Sequence, residues 1–158
     1  LKTQVAFKIR TAAPEDCRLL WEWANDPAVR AGAFSSDPIP WERHLDWFKG
    51  KQADPNCTLY ILMDGQGHPL GQVRFDRQPD GSAETDISIA RDYRGRGMGT
   101  QALGLACESF RESGKARRIV AFIKPENAPS LKAFEKAGFV RQGREWVKGQ
   151  EAIVMSLP

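Results

Sequence analysis

No run of this chain approaches the roughly 20 consecutive apolar residues of a membrane-crossing helix, and the opening "LKTQVAFKIR" has no secretion-signal core. A strong charge of one sign is missing too. The net charge of +3 over 158 residues sets up no field for nucleic acid. Cys17, Cys57 and Cys107 are odd in number and form no C-x-x-C pair. That argues against a disulfide framework or a zinc site and fits a reducing cytoplasm. Each is expected as a small buried apolar residue. Histidine is scarcer still. His68 sits in the turn-like "DGQGHPLG" and should face solvent, while His44 is expected at a helix surface or partly buried. Neither makes a convincing base, so no catalytic thiol is expected and no metal site either.

What is present suits a single domain over residues 1–158. Hydrophobic content of 41% against 27% charged is the balance of a chain that folds around a core. It opens on Leu1 rather than Met, as a processed chain or a piece of a longer one would. Alternation predicts a first strand in "VAFKIRTAA". Pro14 and two acids open a helix whose Cys17, Leu20, Trp21 and Ala24 share a face, and Pro27 should end it near "NDP". A Pro-rich loop leads to a second helix carrying Trp41, Leu45 and Phe48. "CTLYILMDG" and "GHPLGQVRFDRQ" form a hairpin. In "SAETDISIA", Thr85, Ile87 and Ile89 take one face, and Glu84, Asp86, Ser88 and Ala90 the other. A helix with Gly99, Leu103, Ala106, Cys107 and Phe110 in one stripe follows, then the strand "ARRIVAFIK". "PENAPSLKAFEKAGF" is a helix with Asn127 as N-cap and Gly138 past its end. "VRQGREWV" and "QEAIVMSL" close the chain as strands.

Chemistry concentrates in "IARDYRGRGMGTQ". Glycines between a strand and a helix start leave main-chain N–H groups free with the helix dipole behind them, a setting for phosphate or pyrophosphate. Arg94 and Arg96 add positive charge. The P-loop pattern fails because no Lys-Ser/Thr pair follows the glycines. The dinucleotide pattern G-x-G-x-x-G fails at Thr100.

"ISIARDYRGRGMGTQAL" resembles the pyrophosphate-binding signature R/Q-x-x-G-x-G/A of the GNAT superfamily of acyl-CoA-dependent N-acetyltransferases, with Arg94, Gly97 and Gly99 in the signature positions. "VAFIKPENAPSLKAFEKAGF" is similar to that family's next strand, Asn-led helix and terminal Gly-Phe. The resemblance implies an α/β (α+β) GNAT fold: a mixed, mostly antiparallel sheet of about seven strands, splayed in the middle and flanked by four helices. It also implies acetyl-CoA as co-substrate, no metal, and a pantetheine arm lying in the splay. Main-chain bonds to that arm would come from Ile89, Ala90 and Arg91. The amides of Gly95, Arg96, Gly97, Met98, Gly99 and Thr100 would hold the pyrophosphate, and Asn127 and Ser130 would face the cofactor from the next helix start. Asn127 is equally readable as a plain N-cap, and the two roles are compatible.

Acetyl transfer needs a neutral amine, a stabilised oxyanion and a departing thiolate. Main-chain N–H groups at the splay would serve the oxyanion. The base is expected on the polar face of the strand before the loop, Asp86 first and Glu84 second. Both are also readable as solvated strand residues. Many relatives place a tyrosine in the helix before Gly-Phe; the matching position here is Phe134, which donates no proton. Tyr93 sits in the loop, and protonation by water suffices for a thiol of pKa about 8.5.

The N-terminal third, "LLWEWANDPAVRAGAFSSDPIPWERHLDWF", holds four of the five tryptophans. It resembles the subset of GNAT proteins that acetylate nucleotide-linked amino sugars of the pseudaminic-acid type. That implies the 4-amino group of a UDP-linked deoxy-aminosugar as acceptor, with Trp23, Asn25, Arg30 and Phe34 lining its site. A ribosomal-protein-type N-terminal acetyltransferase and a non-catalytic acyl-CoA-binding module are the alternatives. Monomer and homodimer are both open, and no nucleic acid or membrane partner is expected.

Overall fold

The computed structural model describes residues 7–158. Its strands are β1 (Lys8–Thr11), β2 (Cys57–Met63), β3 (Pro69–Arg77), β4 (Ser82–Ile89), β5 (Arg118–Ile123), β6 (Val140–Val147) and β7 (Gln150–Leu157). They form one mixed sheet in the order β1-β2-β3-β4-β5-β7-β6. Only β4 and β5 run parallel, as expected of a mostly antiparallel sheet. The first strand was expected from Val5, which lies outside the described residues.

Among the described residues there are five α-helices where four were expected: α1 (Cys17–Ala24), α2 (Pro27–Gly32), α3 (Trp41–Ala53), α4 (Met98–Glu112) and α5 (Ala128–Lys136). The extra one is α2. Pro27 ends α1 by holding Asp26 extended at φ −57°, ψ 133°, and then starts a new helix with its own fixed φ. Asp26 becomes the N-cap, accepting from the Ala28 N–H at 3.0 Å.

Period-2 alternation gives the sheet two unlike faces. On one, Val73, Phe75 and Ala83 pack beneath the α4 stripe of Ala102, Leu103, Ala106, Cys107 and Phe110. Phe75 and Phe110 stack with centroids 4.3 Å apart. Phe134 of α5 is buried there, edge-on to Phe139. On the other face, Leu20 of α1 and Phe48 of α3 cover Leu59 and Ile61. Towards β3 and β4 that second face turns polar, with Gln72, Arg74 and Asp76 opposite Ser88, Asp86 and Glu84.

The helix ends follow their local chemistry. Asn127 caps α5, its side-chain oxygen accepting from the Ser130 N–H at 3.3 Å, and Gly138 takes φ +99° just past the helix. His68 is exposed in the Asp64–His68 turn, as expected. Cys17 and Cys107 are buried, and burial pushes the Cys107 thiol up to about 12. Cys57 is half-buried, its thiol raised to about 11 by burial and by Asp76.

His44 departs from expectation. It is fully buried, its Nε2–H donating to the Cys17 carbonyl at 2.8 Å, with its ring stacked on Phe48 and Trp41. One charged-or-neutral side chain among aromatics left no periodic mark of burial. Burial lowers its pKa below 6.5, partly offset by the bond to Cys17. A depressed folded value means its contribution is present above pH 6.5 and lost as pH falls through the folded value. Tm measured against pH should therefore drop on the acid side of 6.5, and His44→Phe should flatten that part of the curve.

Candidate active site

β4 and β5 share only three residue pairs, Ser82↔Arg118, Ala83↔Ile119 and Glu84↔Val120. Beyond them β4 continues along β3 to Ile89, while β5 turns with β7 through Ile123. A slot opens between the two strands. The Ala90 N–H donates to Leu70 O and the Gln78 N–H to Ser82 O, so even-numbered β4 residues face β3 with their main chain. Alternation then aims N–H and C=O of Ile87 and Ile89 into the slot. Of the expected main-chain trio, Ala90 is therefore directed away, its N–H committed to β3. The main-chain groups of Ile87 point into the slot instead. The sequence could not give this parity, because it depends on which carbonyl of β3 each residue meets.

Past the slot, Gly95 and Gly97 adopt φ +76° and +75°. Gly97 is the N-cap of α4, and the first helical bond runs from the Gln101 N–H to Gly97 O at 3.2 Å. From Gly95 to Thr100, six consecutive N–H groups have no main-chain acceptor among the described residues. They stand at the positive end of a 15-residue helix. Arg96 is exposed beside them, but Arg94 is not. Its Nε donates to Ile89 O at 2.8 Å and its Nη1 to Asp26 at 3.1 Å. The expected anion ligand is thus turned inward onto β4 and α2. Tyr93 is half-buried and packs against the core.

The two candidate bases have different surroundings. Asp86 accepts from Gln72 Nε2 at 3.0 Å and faces Arg74 Nη1 at 3.9 Å. Glu84 sits at the fork, at the last β4–β5 pair. Burial pushes its carboxyl above the ordinary glutamate value; Arg74 opposes the rise, and Asp76 and Asp86 add to it. Below Glu84 runs a groove of about 420 Å³. Val120, Phe122 and Val154 floor it, while Asp80, Glu84 and Glu145 line it against a single cation, Arg118. Asp80 and Glu145 had no sequence signal, since the sheet order alone brings a β3–β4 turn and β6 together.

The expected acceptor residues cluster, though they hold a loop rather than an open pocket. Asn25 bonds both main-chain groups of Ile39, at 3.0 and 2.7 Å. Arg30 donates to Ala24 O at 2.7 Å and Ser35 O at 2.8 Å. Burial lowers its pKa, with Asp86 opposing. Trp23 packs against the α1–α3 core. Phe34 is half-buried, its carbonyl accepting from Gln150 Nε2 at 2.8 Å.

A splayed seven-stranded sheet, a slot with inward main-chain groups and a row of free amides at a helix start define an acyl-CoA acetyltransferase. The family model of the acetyltransferase (GNAT) domain matches residues 7–140, and the chain belongs to that family. It is an acetyl-CoA-dependent N-acetyltransferase of the GNAT type, acetyl-CoA being its co-substrate. It is 33% identical over 121 residues to YwnH of Bacillus subtilis, provisionally named a phosphinothricin acetyltransferase, covering 73% of this chain and 72% of that one. A second Bacillus subtilis protein, provisionally named a ribosomal protein bS18-alanine N-acetyltransferase, is 25% identical over 98% of this chain and 96% of its own. The spermidine N-acetyltransferase of Vibrio cholerae, solved with CoA and spermine, superposes with a TM-score of 0.84. It covers 96% of this chain and 94% of its own at 19% identity, a likeness of fold. No helix among the described residues is long and apolar enough to cross a membrane.

Proposed function

We propose that residues 1–158 act as one domain that acetylates the primary amine of a small acceptor bearing further positive charge. The observation carrying this reading is the groove at the β4–β5 fork, with carboxylates of Asp80, Glu84 and Glu145 around an apolar floor. Such a site attracts a second ammonium while its floor takes the carbon chain between the amines. Relatives with varied amine acceptors are compatible with it.

The free amides of Gly95 to Thr100 would grip the pyrophosphate, and Ile87, Ile89 and Arg91 the pantetheine arm. Acetyl-CoA supplies a thioester carbonyl for attack. Glu84, its affinity for a proton raised by burial, takes the proton from the incoming ammonium directly or through a water. Asp86, fixed by Gln72, helps orient that amine. The Ile87 N–H, pre-aimed into the slot, donates to the oxyanion that forms. Phe134 holds no proton, so the departing thiolate takes one from water.

A UDP-linked 4-amino-4,6-dideoxy sugar is the second reading. Lys148, whose Nζ donates to Ser35 Oγ at 2.9 Å in the loop after Phe34, is the cation that would meet its diphosphate. Thiol release from acetyl-CoA separates the readings: diamines and aminoglycosides against UDP-aminosugars against alanine-led peptides. Turnover confined to the nucleotide sugar or the peptide would overturn the cationic groove. Glu145→Gln should raise the diamine KM by about two- to fivefold, the scale of one exposed ion pair, and leave the acetyl-CoA KM unchanged.

A further inference from the structure

α2 lies across the slot, tied to both banks. At its start the Asp26 carboxylate, 13% exposed, accepts from Arg91 Nη2 at 3.0 Å, Arg91 Nε at 3.1 Å and Arg94 Nη1 at 3.1 Å. These arginines follow β4, and Arg94 passes the hold to the strand through Ile89 O. At the other end the Lys124 ammonium, just past β5, donates to Ala31 O at 2.9 Å. Lys124 is 8% exposed and pairs with no carboxylate among the described residues. A buried ammonium without a counter-ion is expensive unless its bond matters, and here its partner is a carbonyl in the last turn of α2, where the helix end is negative. Beside it Gly32 lies so near Asn127 that a Cβ would stand 2.9 Å from Nδ2.

We propose that α2 is a crossbar that sets the width of the acetyl-CoA slot at its acceptor end, with Asp26 and Lys124 as positioning residues. The proposal rests on reading the β4–β5 gap as that slot. Beyond Glu84 and Val120 the banks have no main-chain pairing, so a brace is what keeps their spacing fixed. Asp26 and Lys124 do not pair with each other. They act on the same spacing through one helix, and loosening either end removes the brace.

Calorimetry with two probes tests this: acetyl-CoA, which fills the slot, and adenosine 3′,5′-bisphosphate, which reaches only the outer loop. Asp26→Asn keeps a side-chain cap for Ala28. It and Lys124→Gln should each weaken acetyl-CoA binding about fivefold, the scale of a distributed coupling. The nucleotide fragment should bind both variants as it binds wild type. The double variant should stay within about tenfold, short of the roughly 25-fold product of independent effects. Gly32→Ala puts a Cβ 2.9 Å from Asn127 Nδ2, so α2 and that amide must move apart. It should weaken acetyl-CoA severalfold at an unchanged Tm, which decides the matter should the double variant unfold. Multiplicative losses, equal losses for the fragment, or a Gly32→Ala protein that binds as wild type would overturn the crossbar. A wild-type chain that binds neither probe would bring down the slot reading, and the crossbar with it.

Discussion

Glu84→Gln should lower kcat/KM by about 100-fold or more, the usual scale of a lost general base, while the protein becomes no less stable at neutral pH. Both halves follow from one environment. The Glu84 carboxyl titrates above its ordinary 4.5 because burial disfavours its charge. A raised folded value contributes stability below the unfolded value and loses it as pH rises through the folded one. Glu84 keeps solvent access on the strand surface, so its ionised carboxylate at pH 7 contributes nothing to the fold that glutamine would lose. In wild type the acidic limb of kcat/KM should lie above the ordinary glutamate range, and in the variant that limb should vanish. Asp86→Asn, removing an orienting group, should cost less than roughly tenfold and keep the limb. A Glu84→Gln enzyme that retains the limb, or whose Tm falls along with its activity, would move the base elsewhere.

Gly97→Ala should weaken coenzyme A by roughly 100-fold, through about 2.7 kcal/mol of lost charge-assisted bonds. The same α4 carries its own control. Gly97 precedes the helix at φ +75° and Gly114 follows it at φ +69°, and at neither would a Cβ meet an atom within 4 Å. Alanine pays the same left-handed penalty, about 1–2 kcal/mol, at both ends. Thermal melts of the two variants should fall together. Calorimetry should separate them, since only Gly97 stands in the row of free amides. Equal coenzyme A affinity in both would mean that the phosphates bind elsewhere.

Elements whose signal is local were legible in the sequence. The alternation of Glu84, Thr85, Asp86 and Ile87, the α4 stripe, and Asn127 and Gly138 at the ends of α5 each express a short-range rule, and the structure follows them. The glycine run was legible for the same reason, because free amides need only a strand, a turn and a helix in succession. What escaped depends on partners far along the chain. Arg94 has the same charge whether it meets a phosphate or Asp26, 68 residues away. Ala90 loses its N–H to a carbonyl chosen by the register of β3. Asn25 and Arg30 look like ligand-binding side chains in isolation, yet their polar atoms are occupied by the loop of Ser35 to Ile39. His44 shows the converse, a polar type placed in the interior because one carbonyl was there to receive its proton.

The spine joining the two halves of the sheet is three residue pairs long. Four strands lie on one page and three on the other, so substitutions that reshape Asp80, Glu84 or the α1–α3 face leave the β5–β7 page with its own hydrogen-bond ladder intact. Residues on the first leaf can change while the second keeps its pairing, so the two leaves are free to vary separately except where the groove spans both.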